Sequence, residues 1–168
     1  MSHVLLLDTN VWSHLLFGDQ AKSAAVRAQL ATLRLKYPGA AVATSGICIA
    51  ECMVAARRVP GLAERTLIEA AYMLEFSKAS LMVVEVTAPI LDKAASLRAE
   101  ALRRASAAGG TPASADGGKL KLPDAIIAAT CMDFNPVAIL VTENIGDFQY
   151  IENGIFKTVS GLTVEKVG

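Results

Sequence analysis

The chain has 168 residues, enough for one domain with a sizeable hydrophobic core. Its hydrophobic fraction is 53%, but no apolar run reaches the ~18 residues of a membrane span. The start lacks the basic segment and cleavage site of a signal peptide, so a cytoplasmic chain with no membrane partner is expected. Lys+Arg and Asp+Glu both count 16, so net charge argues neither for nor against a nucleic-acid partner, and any basic surface must be local.

Val4-Leu5-Leu6-Leu7 is apolar on both faces, the pattern of a buried parallel strand, and it stops on Asp8-Thr9-Asn10. In open α/β sheets ligands bind outside the carboxyl ends of the strands, so Asp8 is expected at the rim of the fold. Its competing role is to cap the helix that opens near Val11 and ends at Gly18. Asp19 to Lys36 continues as a second helix, stopped by Tyr37-Pro38-Gly39. Ala40 to Ala43 reads as a second strand, followed by a helix capped by Thr44 or Ser45 that runs to about Arg58. Leu62 to Phe76 is a clear amphipathic helix. Leu81 to Val86 is a third strand, and Thr87 caps a helix running through Leu102.

Ala105 to Lys119 holds Gly109-Gly110, Pro112 and Gly117-Gly118 with little that is bulky, and about 106–119 is expected to be a mobile Gly-rich loop within one domain spanning 1–168. Pro123 starts a helix ending near Met132, and Val137 to Val141 is a fourth strand. Ile145 to Phe148 is at most a helical turn, and Phe156 to Val159 is a candidate edge strand. Strands alternating with helices predict an α/β fold: a small, mostly parallel sheet of four or five strands flanked by helices. Cys48, Cys52 and Cys131 form no C-x-x-C pair and read as reduced, buried thiols.

The acids fall at chosen places. From Ile47 to Ala56 every residue is apolar or Cys except Glu51, and a helix greasy all round is expected to be buried, where an ionised Glu needs a partner or a cation. Asp124 opens an equally apolar helix, where the helix dipole alone would also favour it. The fourth strand ends on Thr142-Glu143-Asn144, with Asp147 close behind. All four acids could meet at one edge of a parallel sheet. Carboxylates that converge raise each other's pKa unless a cation joins them, and oxygen ligands without His or Cys select Mg²⁺ or Mn²⁺ over zinc. Such ions suit phosphoryl chemistry.

Leu-Leu-Asp-Thr-Asn, the lone Glu after the second strand, Leu-Pro-Asp-Ala-Ile-Ile-Ala-Ala-Thr and Val-Thr-Glu-Asn-Ile-Gly-Asp-Phe, in that order, resemble PIN-domain ribonucleases, and within them the VapC-type toxins of toxin–antitoxin pairs. The resemblance covers residue 4 to about 159. It implies a PIN-like domain with Asp8, Glu51 and Asp124 as the core metal-binding acids, and a fourth position filled by Asp147 or Asn144. Asp147 is favoured because Asn144 carries no charge. It further implies that Thr9 and Thr142 hydrogen-bond carboxylates or the attacking water, and that Asn10 orients Asp8. The position of Glu143 is often basic in the family, so substrate contact there is expected to differ.

The implied activity is a Mg²⁺- or Mn²⁺-dependent endoribonuclease that uses metal-activated water and leaves 5′-phosphate and 3′-hydroxyl ends. The implied partners are an RNA substrate, an antitoxin and a second copy in a homodimer, with Tyr72, Met73, Leu74 and Phe76 as candidate apolar contacts. A housekeeping PIN nuclease without an antitoxin, and a non-catalytic PIN-fold binding module, remain as alternatives. Lys119 and Lys121 could contact RNA phosphates, as could Arg98, Arg103 and Arg104 unless these form only a solvated helix face. His3 and His14 are not spaced as a metal pair.

Overall fold

The computed structural model describes residues 3–107, 120–134, 137–152, 155–158 and 163–167. The expected Gly-rich loop lies mostly outside them, as does Lys119. The elements are β1 (Val4–Leu7), α1 (Thr9–Phe17), α2 (Gln20–Lys36), β2 (Ala41–Ser45), α3 (Gly46–Arg57), α4 (Leu62–Phe76), β3 (Leu81–Val84), α5 (Ala88–Ala107), α6 (Leu122–Asp133), β4 (Ala138–Thr142), a 3-10 turn (Ile145–Phe148), β5 (Gln149–Glu152), β6 (Ile155–Thr158) and β7 (Val164–Lys166). Helix α5 runs to Ala107, into the stretch expected to be loop, and β3 ends two residues earlier than expected.

A five-stranded, wholly parallel sheet takes the order β3-β2-β1-β4-β7. Every residue of β1 and β4, the two inner strands with the longest apolar runs, is buried. From β1 the chain first moves one way, to β2 and β3, and later returns to place β4 on the other side. The carboxyl ends of β1 and β4 therefore flank a point where the winding reverses, the place where such sheets bind ligands. Leu7 pairs with Val141 there, which sets Asp8 beside Thr142.

The fifth strand is not the one expected. Residues 155–158 pair antiparallel with β5 as a separate two-stranded sheet, and β7 supplies the sheet's edge instead. A three-residue strand, Val-Glu-Lys, has too little alternation to be read in isolation.

Two expectations about packing also change. Helix α3 is buried along one stripe only, Cys48, Cys52 and Ala56 at successive i+4 spacing, while Val54 is 55% exposed. Ile47, Ile49 and Met53 are half-buried against the core, and the exposed positions include Ala50 and Ala55, small side chains whose exposure costs little. On α4, Tyr72 and Phe76 face inward: the Tyr72 ring stacks on Phe76 at 5.7 Å and meets Phe17 edge-on at 4.8 Å, and Phe76 meets Trp12 edge-on at 5.3 Å. They are core, not partner surface, whereas Met73 and Leu74 are exposed. The three cysteines are free and buried, and burial pushes each thiol up to about 12. Among the described residues, no helix is long and apolar enough to cross a membrane.

Candidate functional site

Asp8 leaves β1 and becomes the N-cap of α1. The Thr9 amide donates to its Oδ1 at 2.6 Å, so the capping role is real. Its second oxygen has a different partner: the Thr142 hydroxyl, at the end of β4, donates to Oδ2 at 2.7 Å. The residue is only 3% exposed.

The neighbouring Thr9 hydroxyl donates to Glu51 Oε2 at 2.6 Å, which ties α3 to the opening of α1. Glu51 therefore stands in its apolar helix with a partner. Asp124 lies in the first turn of α6, where its Oδ2 accepts the Lys121 amide at 3.2 Å, a backward reach that satisfies a free helix-end N–H. Asp147 sits in the 3-10 turn, which begins as its amide bonds to the Asn144 carbonyl at 3.1 Å.

These four acids, which arrive from β1, α3, α6 and the turn after β4, line one cavity of about 170 Å³ together with Thr9, Asn10, Lys121 and Pro123. Their fields reach one another. Burial raises the Asp8 carboxyl to about 6 against its bonds from Thr142 and Thr9, and the charges of Glu51 and Asp147 push the same way. Burial likewise raises Asp124 to about 7, followed by repulsion from Asp147, Asp8 and Glu51. Among the described residues no three His, Cys, Asp or Glu side chains are drawn together into a ready-made metal cluster; the acids face a shared space instead. A larger groove of about 770 Å³, lined by Trp12, Leu30, Leu81 and other mostly apolar side chains, holds none of the four.

The donor set fits a divalent cation. The cavity offers carboxylates, a hydroxyl and an amide, with neither His nor Cys, a set of hard oxygen donors. Asp8, buried, and Asp124, half-buried, are both raised toward neutral pH, the electrostatic condition that a bound cation relieves.

The remaining expected residues are distributed as follows. Asn144 is exposed and outside the cavity lining; its amide donates to Thr142 Oγ1 at 3.1 Å. Thr142 reaches the site only through Asp8, and Asn10 borders the cavity directly. Lys121 lines it too, an exposed cation beside four acids. Arg98 donates to the Leu120 carbonyl and Arg103 pairs with Glu100 at 2.6 Å, so both have protein partners, and the Arg104 side chain lies outside the described residues. His3 lies near the Tyr37 ring. Sequence reasoning missed the contact between His14 and Glu143, 129 residues apart, for which no local pattern gives a signal.

Solved structures share the fold. VapBC2 from Rickettsia felis bound to a promoter DNA fragment superposes with a TM-score of 0.66 at 19% identity over 98% of this chain and 99% of that one. A toxin–antitoxin complex from Klebsiella pneumoniae gives 0.55 at 26% identity over 86% and 89%. A Mycobacterium tuberculosis VapC toxin that cleaves the sarcin-ricin loop gives 0.52 at 21% over 81% and 86%. No curated protein matches the sequence. The model of the PIN domain family matches residues 5–144, most of the chain, taking in Asp8, Glu51 and Asp124 and ending just before the turn that carries Asp147, and the chain belongs to that family.

Proposed function

We propose that this chain is a divalent-metal-dependent endoribonuclease, the toxin of a toxin–antitoxin pair, acting in the cytoplasm. The observation that carries the reading is the convergence of Asp8, Glu51, Asp124 and Asp147 on one cavity at the reversal point of the sheet, with Asp8 and Asp124 raised toward neutral pH.

In this reading the four carboxylates would hold Mg²⁺ or Mn²⁺. The ion, when bound, supplies a lowered pKa for a water nucleophile and positive charge for the developing phosphoryl and leaving oxygens. The protein's own part is orientation. Thr142 and the Thr9 amide hold both oxygens of Asp8, Thr9 fixes Glu51, and the Lys121 amide fixes Asp124, so three of the four carboxylates are held in orientation. Lys121, exposed on the cavity lining, would offer a cation to an RNA phosphate that the acids would otherwise repel. Hydrolysis leaves 5′-phosphate and 3′-hydroxyl ends.

An antitoxin partner is supported by the toxin–antitoxin complex and the VapBC assembly among the structural neighbours. A homodimer is supported by the apolar surface of α4, where Leu62, Leu67, Met73 and Leu74 are all more than half exposed. Cleavage of RNA in Mn²⁺ by the wild type and by Asp8→Asn tests the function. The wild type cuts and the variant does not; equal cleavage by both overturns the mechanism.

A further inference from the structure

Immediately beyond Thr142 the chain turns its next side chain away from the four acids. Glu143 is not among the residues that line the cavity. Its Oε1 instead meets Nδ1 of His14 on α1. The two side chains are 16% and 23% exposed, so the hydrogen bond is shielded from the full competition of solvent.

The proton on the ring can be assigned. Lys22 Nζ stands 3.3 Å from His14 Nε2, and an ammonium only donates. Nε2 therefore accepts, and Nδ1 carries the hydrogen that it donates to Glu143. Lys22 is itself held at the start of α2, where its amide donates to Asp19 at 2.8 Å.

Helix α1 and the end of β4 are thus joined twice. At the start of the helix Asp8 accepts from Thr142; further along, His14 donates to Glu143, the residue next to Thr142. The Thr142 hydroxyl has one proton, which goes to Asp8, and it accepts the Asn144 amide at 3.1 Å. Its direction therefore depends on the turn 142–144, and Glu143 is the middle of that turn.

We propose that His14, through Glu143, is a positioning residue for the acidic site: it anchors the turn 142–144 and so aims the Thr142 hydroxyl at Asp8. The consequence for catalysis rests on the nuclease reading; the anchoring rests on geometry alone.

Two measurements test it together: hydrogen exchange at the Asn144 amide, and steady-state RNA cleavage in Mn²⁺. In H14A and E143A, Asn144 exchange accelerates by about tenfold. In the same variants kcat falls about 10- to 100-fold, the range typical of groups that orient metal ligands, while KM stays within about twofold. The double variant loses no more than either single one, because both remove the same tether. H14N keeps a donor nitrogen near the place of Nδ1, and E143Q keeps the acceptor oxygen, so both retain wild-type exchange and kcat. Where H14A lowers the melting temperature, H14L, which fills the space without a donor, is compared with H14N instead. Unchanged Asn144 exchange in H14A, an additive double variant, or an effect confined to KM overturns the proposal. If the wild type itself fails to cut RNA, the nuclease reading falls, and Asn144 exchange still decides the anchoring.

Discussion

Replacing Asp8 with Asn removes a charge from a residue that is 3% exposed, while it keeps the volume and the oxygen that accepts the Thr9 amide. Burial, helped by the charges of Glu51 and Asp147, raises the Asp8 carboxyl from 3.8 to about 6. That rise corresponds to roughly 3 kcal/mol between the protonated and ionised folded states. Between the two values the folded chain holds a proton that the unfolded chain releases, so this contribution is complete below pH 4 and is lost as pH rises through 6. About half of it, roughly 1.5 kcal/mol, is lost between pH 5 and 8. Urea unfolding of wild type and Asp8→Asn in a chelator at both pH values reads it directly. The stability difference is expected to move by that amount in favour of the variant as pH rises. Added Mn²⁺ at pH 8 then stabilises the wild type and leaves the variant unmoved, because the cation binds the folded acids only. Parallel pH dependence of the two proteins would refute the claim that Asp8 is a strained, cation-seeking carboxylate.

Four further outcomes are expected. Because Asp8 and Asp124 must lose protons to hold a cation, Mn²⁺ affinity measured by calorimetry rises between pH 6 and 8 with proton release, most steeply near pH 6, where both carboxyls still carry protons, and flattens above the Asp124 value of about 7. Asp147→Asn lowers RNA cleavage about 100-fold or more, whereas Asn144→Ala stays within about threefold, since only Asp147 lines the cavity; kcat for the pair decides between them. Thr9→Val removes the donor to Glu51 and lowers kcat about tenfold with the melting temperature little changed. Leu74→Glu on the exposed face of α4 shifts the chain toward monomer on sizing columns at small cost to stability, while Tyr72→Ala, in the core, costs about 3–5 kcal/mol in urea unfolding.

Much of the architecture was legible because β1 and β4 are buried on both faces, and such strands announce themselves as unbroken apolar runs ending in polar residues. The acids were legible for the same reason. Asp8 and Asp124 follow directly from element boundaries, and Glu51 is conspicuous in an otherwise apolar helix. Burial alone does not account for Glu51. Helix α3 is open on one side, and what holds the carboxylate is the Thr9 hydroxyl, which no feature of residues 45–59 reveals. The edge strand was misplaced because β7 has three residues and depends on β4 for its pairing. Tyr72 and Phe76 cannot be told from partner surface by sequence, because an aromatic on an amphipathic helix looks the same whether a partner chain or Trp12 and Phe17 cover it.

The order of strands and helices, the single Asp that ends β1 and the acids that open or interrupt later helices are properties of local pattern, and residue order alone suffices to read them. Which oxygens face one another is not local. The convergence on one cavity, the lining of that cavity by Asp147 and not by Asn144, and the turning of Glu143 onto His14 come from the way α1, α3 and α6 pack at the end of a sheet whose winding reverses between β1 and β4. Hydrogen bonds between residues more than a hundred positions apart carry no periodicity, so only the packed chain could decide them.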